Sequence, residues 1–172
     1  MAYSMYDASV TTCAQQLGAL VGIIDKAAAH CAANKIEESA LLTDRLYPDM
    51  FSLARQIRQA ADFGCNTPGR LAGVAGPALE AVDDTSFAAA KARVEKALAF
   101  VKSLTAAQVN GNEDKVVTWM AGGAERKMKG ADYLQQFGLP NFMFFVVTAY
   151  DILRHRGVPV GKRDFLGAVN WL

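Results

Sequence analysis

The sequence predicts an all-α protein, a four-helix bundle with a small β-hairpin between the third and fourth long helices. Apolar residues recur at three- and four-residue steps in four long segments, the period that lines one face of a helix. Only one short segment combines β-branched and aromatic residues with a Gly-Gly pair, the pattern of a hairpin. The chain has no internal repeat or linker, so we expect one domain over residues 1–172.

The first two helices are predicted from these periods and from proline. A first helix should run from about Ser4 to Ala33. A second should begin near Pro48 and Asp49, because proline suits a first helical turn and an acidic residue suits the positive end of the macrodipole. Pro68 lacks an amide donor and crowds the preceding turn, so a kink or a break is expected there.

The second half of the chain predicts the third helix, the hairpin and the fourth helix. Asp84 or Thr85 is expected to cap the third helix, which should end near Thr105. Residues 116–128 should form the hairpin, with a turn of positive φ at its two glycines. The fourth helix should run from about residue 131 to 156 and bend at Pro140.

Composition and charge exclude several classes of protein. The net charge of +1 gives no field that would recruit nucleic acid or an anionic membrane. The longest apolar run, Phe142 to Tyr150, is far shorter than the ~20 residues that cross a bilayer. The three cysteines lack the paired spacing of a zinc or redox site, and the start lacks a secretory signal. We therefore expect a cytoplasmic protein without a nucleic-acid or membrane partner.

Five motifs carry a resemblance to a known family. They are Met5-Tyr6, the segment from Arg45 to Gln56, Asp132-Tyr133-Leu134, Leu139-Pro140-Asn141-Phe142, and the segment from Thr148 to Gly167. The chain resembles the domain-of-unknown-function family nineteen-ninety-three, which is grouped by fold with DinB-like metalloenzymes. This resemblance implies a DinB-like four-helix bundle and a homodimer, with no settled activity.

Histidine content separates this chain from the wider superfamily. DinB-like proteins often hold a divalent metal with three histidines, one from the second helix and two from the last. This chain has only His30 and His155, and it has Phe144 and Phe145 in the aromatic run where family members often carry a histidine. We therefore expect no complete three-histidine metal site and no cofactor.

Asp151 and His155 have two interpretations. They lie four residues apart, so on a helix both side chains project from one face. They could hold a divalent metal together with a third ligand from Asp49 or Gln56, since catalytic zinc commonly has three protein ligands. Alternatively, they form an intrahelical ion pair near a helix C-terminus.

Asn141 and the aromatic run each also have two interpretations. The Asn141 amide either repairs the backbone that Pro140 disrupts or faces a cavity that Tyr6, Tyr150 and Asp49 also line. The aromatic side chains either line an apolar ligand cavity or form core together with a subunit contact, because the consecutive Phe144 and Phe145 cannot share one helix face.

These observations support two hypotheses about function, with catalytic residues unknown. The first is a dimeric small-molecule-binding or stress-associated module. The alternative is a metal-dependent hydrolase or thiol transferase of DinB-like type that uses Asp151 and His155. The candidate ligand-binding residues are Tyr6, Asp49, Asn141, Tyr150, Asp151 and His155.

Overall fold

The computed structural model describes residues 3–171, which are mostly helical. Two π-helical segments, Asp7–Thr11 and Tyr133–Gly138, run directly into longer helices. The helices and strands in chain order are α1 (Thr12–Asn34), α2 (Glu38–Leu42), α3 (Leu53–Ala72), α4 (Phe87–Ser103), α5 (Ala106–Val109), β1 (Val116–Ala121), β2 (Ala124–Lys129), α6 (Gly130–Asp132), α7 (Leu139–His155) and α8 (Lys162–Leu166).

The four long helices pack around one apolar core in the order α1, α4, α3, α7. Helix α1 packs on α4, α4 packs on α3, and α3 packs on α7, while α8 lies against α1. Their apolar faces meet in a cluster of buried side chains, of which Tyr133, Phe87 and Phe142 are the largest that are fully buried. Within residues 3–171, no helix combines the length and apolar character that a membrane crossing requires.

Helix α3 begins later than predicted. Pro48 and Asp49 lie in an exposed turn, and the helix starts at Leu53. Ser52 is the N-cap, because its Oγ accepts a hydrogen bond from the Arg55 amide at 3.4 Å. The expectation from the proline was wrong because a serine four residues further on supplies the acceptor that a helix start needs.

Helix α3 also continues through Pro68 without a break, ending at Ala72. Proline removes one backbone hydrogen bond, but the surrounding turns are buried, and tertiary packing stabilises a helix more than local propensity does. Cys65 and Leu71, on either side of the proline, are both fully buried. The helix therefore has no break at the proline.

The N-cap of α4 is Ser86, whose Oγ accepts from the Ala89 amide at 3.1 Å. The two residues predicted for this role, Asp84 and Thr85, precede it. The Asp84 carboxylate is instead held by Arg93, at 2.7 and 3.0 Å. Asp84 thus forms an ion pair with Arg93 and does not cap α4.

The hairpin prediction is confirmed. Strands β1 and β2 pair antiparallel, and the two glycines of the turn, Gly122 and Gly123, have φ of 59° and 77°. Trp119 lies directly opposite Arg126 in this register. Side chains directly opposite each other project from the same face of the hairpin, so these two share a face.

The segment predicted as the fourth helix contains a π-helical turn just before Pro140, the residue at which a bend was predicted. Backbone helix is continuous from Gly130 to His155, and the π-helical segment ends immediately before α7. Pro140 then lies in the first turn of α7, where the missing amide donor costs little. The Asn141 Nδ2 donates to the Phe137 carbonyl at 2.7 Å, so this amide hydrogen-bonds to the backbone of the π-helical turn.

Candidate functional site

One face of α3 forms a groove in which unpaired polar side chains converge. We call it the α3 groove, and its volume is about 410 Å³. The polar side chains of α3 that line it are spaced by three or four residues, so they lie on one face of the helix. The lining residues are Gln59, Asp62, Phe63, Asn66 and Arg70 from α3, and Pro77, Ala78 and Leu79 from the loop before α4.

The loop wall of the groove is held in place by basic side chains of α4. Arg93 donates to the carbonyls of Glu80 and Val82 at 2.8 and 2.9 Å, in addition to its bonds with Asp84. Lys96 Nζ donates to the Ala78 carbonyl at 3.0 Å. These bonds keep a segment without regular secondary structure in a fixed position against α3.

A glycine allows this loop to approach the groove closely. A Cβ at Gly76 would lie 3.1 Å from Asn66 Oδ1, which is tighter than most contacts of that kind. Any larger side chain would therefore push against the Asn66 amide. The close approach narrows the groove around that amide.

Asp62 is the one carboxyl group among the residues that line the groove, and its pKa is shifted. Burial raises its pKa above the ordinary value, and the nearby positive charges of Arg58 and Arg93 lower it only in part. Its carboxylate accepts no hydrogen bond from the described residues, whereas Arg58 and Arg93 are paired with Asp83 and Asp84. A carboxyl group in this state is available to a ligand that donates hydrogen bonds.

Arg70 lies two helical turns beyond Asp62, and most of its N–H donors have no partner among the described residues. Its Nη1 donates to the Tyr133 hydroxyl at 3.0 Å. A guanidinium group has five N–H donors in a planar fork, so most of its capacity remains. Two side-chain amides of the groove also make no hydrogen bond with the part of the chain that the structure describes: that of Asn66, between the two charges, and that of Gln59, one turn before Asp62.

Phe63 forms the aromatic part of the groove and packs on further rings behind it. Its ring centroid lies 5.5 Å from that of Phe145, in a stacked arrangement, and 5.9 Å from that of Phe137, in a tilted one. Phe145 is also stacked on Phe51, at 6.4 Å. Phe145, from the aromatic run of α7, thus supports the groove from behind.

The ligand-binding residues predicted from sequence are distributed over several places. The Tyr6 amide donates to Asn110 Oδ1 near the start of the chain, and Asp49 is exposed in the turn before α3. Tyr150 and Asp151 do lie together, beside a small cavity of about 190 Å³ on the outer side of α7. None of the six predicted residues lines the α3 groove.

The alternative metal triad is not assembled. Within residues 3–171, no three side chains of His, Cys, Asp and Glu are grouped so that they could hold a metal ion, and this includes Asp49, Asp151 and His155. Asp151 and His155, both described, also form no ion pair with each other. His155 is exposed at the C-terminus of α7, and Asp49 lies in a separate loop.

The three thiols are free and buried, and Cys65 lies next to the groove, where its Sγ donates to the Asp62 carbonyl at 3.5 Å. Burial raises the pKa of Cys13 and Cys31, and it raises the pKa of Cys65 to about 12. We expect no reaction of the native protein with a thiol reagent near pH 8, and reaction of all three thiols after denaturation. Rapid modification of one thiol in the native state would contradict this prediction.

The chain is similar to known proteins in both sequence and structure. The sequence model of a family described as Domain of unknown function (DUF1993) matches residues 5–166. The chain belongs to the DUF1993 family. It is also similar to the crystal structure of a DinB family member protein from Shewanella denitrificans, with 31% sequence identity, a TM-score of 0.86, and coverage of 97% of this chain and 94% of that one. No curated protein matches the chain in sequence.

The family match confirms the DUF1993 and DinB-like assignment that the sequence motifs suggested. What sequence reasoning missed in this DUF1993 protein is the polar face of α3. The signal was present, because Asp62, Asn66 and Arg70 are spaced by four residues along a helix that also has an apolar face. The loop that turns this face into a groove gives no comparable signal.

Proposed function

We propose that this DUF1993 protein is a single-domain DinB-like four-helix bundle that binds a small peptide-like molecule in the α3 groove. One observation carries the proposal: the carboxyl group of Asp62 is partly withdrawn from water, has a raised pKa and has no hydrogen-bond partner among the described residues. Polar groups in such a state cost folding free energy, and they are concentrated at functional sites.

The order of groups along α3 supports a zwitterionic ligand. Asp62 and Arg70 are eight residues apart, so their backbone positions differ by about 12 Å along the helix axis. A ligand amine would donate to Asp62, and a ligand carboxylate would accept from Arg70. A di- or tripeptide, at about 3.5 Å per residue, fits between two side chains that lean toward each other.

The remaining groove groups suit the other parts of such a ligand. The Asn66 amide lies between the two charges and can donate and accept, which matches a peptide group, and the Gln59 amide lies beside Asp62 at the end that would hold the amine. The Phe63 ring offers an apolar surface for one ligand side chain. A volume of about 410 Å³ lies in the range of small-molecule sites.

Calorimetric titration with defined peptides tests this proposal. The probes are Ala-Phe and Ala-Phe-Ala, with N-acetylated and C-amidated Ala-Phe as the uncharged control. We expect the zwitterions to bind with a Kd of about 0.1–1 mM, and both Asp62→Asn and Arg70→Gln to weaken binding about tenfold or more. Equal binding of the blocked peptide, or unchanged affinity in both variants, would contradict the proposal.

Asp62→Asn should also raise the stability of the fold. Because burial raises the pKa of Asp62, the folded state binds the proton more tightly than the unfolded state does. The ionised carboxyl therefore opposes folding near pH 7, and this penalty disappears as the pH falls below both pKa values. We expect the variant to have a Tm higher by about 1–3 °C near pH 7, with little difference near pH 3.

Differential scanning calorimetry at several pH values measures this effect. Gln59→Glu is a suitable comparison, since it places a carboxyl group one turn away on the same groove and should lower the Tm near pH 7. A variant at position 62 that gains stability and loses peptide binding has the behaviour of a functional residue. A lower Tm for Asp62→Asn at neutral pH would contradict the assignment.

We also propose that the protein is a homodimer that associates through the outer face of α7. Phe144 is 54% exposed and Val147 is 37% exposed, and the two lie one turn apart. The cavity beside Val147 extends this apolar surface toward Tyr150 and Phe165. Exposed apolar patches of this kind commonly mark protein interfaces.

Sedimentation analysis tests the dimer. We expect a dimeric mass at about 100 µM protein, and a monomeric mass for the Phe144→Ser/Val147→Ser double variant. The double variant should keep its native circular dichroism, because both side chains are substantially exposed. A monomeric mass for the unmodified protein at that concentration would contradict this part of the proposal.

A further inference from the structure

A second cleft lies between the hairpin and the π-helical segment that precedes α7. We call it the hairpin cleft, and its volume is about 420 Å³. Trp119 and Phe137 form its floor, with ring centroids 4.8 Å apart. Arg126, Lys127 and Met128 of β2 also line it. The cleft therefore combines an aromatic floor with two basic side chains.

Arg126 occupies an unusual position for a charged side chain. It lies directly opposite Trp119, on the face of the hairpin whose other β1 members are the buried Val117 and the partly buried Ala121. Lys127, on the other face of β2, is paired with Glu125 at 2.8 Å. The Arg126 side chain forms no ion pair or hydrogen bond with any residue from 3 to 171, so its guanidinium remains available beside the aromatic floor.

Trp119 provides a second, independent indication of a ligand. The residue is only 7% exposed, and its Nε1 is buried without a hydrogen-bond partner within residues 3–171. The indole nitrogen is a donor only, so it requires an acceptor. A buried donor without an acceptor destabilises a fold. A bound acceptor under the hairpin would remove that penalty.

From these observations we infer that the hairpin cleft binds an organic anion, a carboxylate with an aryl body. The aryl group packs on Trp119 and Phe137. The carboxylate pairs with Arg126, whose planar fork matches two carboxylate oxygens. One of these oxygens also accepts from Trp119 Nε1 once the hairpin adjusts around the ligand. This site shares no lining residue with the α3 groove, although Phe63 of that groove packs on Phe137 of the cleft, with ring centroids 5.9 Å apart.

An NMR titration that follows the indole N–H of Trp119 tests the inference. The chain has two tryptophans, and Trp171→Phe identifies which indole resonance belongs to Trp119. The probe is 4-phenylbutyrate, and its neutral control is 4-phenylbutan-1-ol. We expect the acid to shift the Trp119 indole resonance with a Kd of about 0.1–1 mM, and the alcohol to bind about tenfold more weakly.

Variants separate the carboxylate contact from general effects. Arg126→Gln should weaken binding of the acid about tenfold or more and leave binding of the alcohol unchanged. Trp119→Phe, followed through backbone amides, should weaken binding of the acid several-fold while keeping a ring on the floor. Lys102→Gln, an exposed charge change on α4, should alter neither. Equal affinity for acid and alcohol, an Arg126→Gln variant that weakens both alike or neither, or shifts confined to the α3 groove would overturn the inference.

Discussion

Replacing Phe142 by alanine is expected to reduce the free energy of unfolding by about 3–5 kcal/mol. Phe142 is fully buried, and its Cε2 would lie 2.9 Å from a Cβ placed on Gly64. The ring therefore rests directly on the α3 backbone, at the contact between α3 and α7. Truncation leaves a cavity that neither helix can close without moving, so both the transfer free energy and the packing are lost.

Urea denaturation measures this effect against a matched control. Tyr47→Ala removes a ring of similar size from a position that is 66% exposed, and it should change the unfolding free energy by less than about 0.5 kcal/mol. Phe142→Leu should recover a large part of the loss, because it keeps most of the apolar volume. A Phe142→Ala cost similar to that of the control would show that α3 and α7 do not share a packed core.

Arg93→Met is expected to cost a similar amount, about 3–5 kcal/mol, and also to open the α3 groove. The side chains of Arg93 and Asp84 are only 9% and 10% exposed. Arg93 donates two hydrogen bonds to the Asp84 carboxylate, and these bonds raise the pKa of the guanidinium group. Removing the arginine leaves a buried carboxylate and two loop carbonyls, those of Glu80 and Val82, without their donors.

The neighbouring Lys96→Met variant is the control for Arg93→Met. Lys96 is exposed and makes one hydrogen bond to the same loop, so its loss should cost less than about 1 kcal/mol. The double variant Arg93→Met/Asp84→Leu should be more stable than Arg93→Met alone, because it also removes the unpaired charge. If Arg93→Met costs no more than Lys96→Met, the loop wall is not anchored as described.

Local signals predict the parts of this fold that depend on nearby residues. The long first helix, the Gly-Gly hairpin and the helix that ends at His155 follow from periodicity and turn chemistry within a few residues. The start of α3 was placed four or five residues too early, and the N-cap of α4 one or two residues too early. In each case a serine caps the helix, and the residue predicted from sequence belongs to an exposed turn or to a distant ion pair.

The candidate site was less predictable because it depends on the loop before α4. No helical period places Pro77 to Leu79 against α3, and the bonds that do so come from Arg93 and Lys96 on a later helix. The sequence prediction instead relied on His155 and on its neighbours in the last turns of α7. His155 lies at an exposed helix end, where the described side chains offer it no group of ligands.

The binding of a zwitterionic peptide in the α3 groove is the central claim, and a residue-resolved NMR titration tests it most directly. With Ala-Phe added to the ¹⁵N-labelled protein, we expect saturable shifts at the backbone amides of residues 59–67, 69, 70, 78 and 79, and their loss in Asp62→Asn. Shifts elsewhere with an unperturbed groove, or identical shifts in Asp62→Asn, would contradict it.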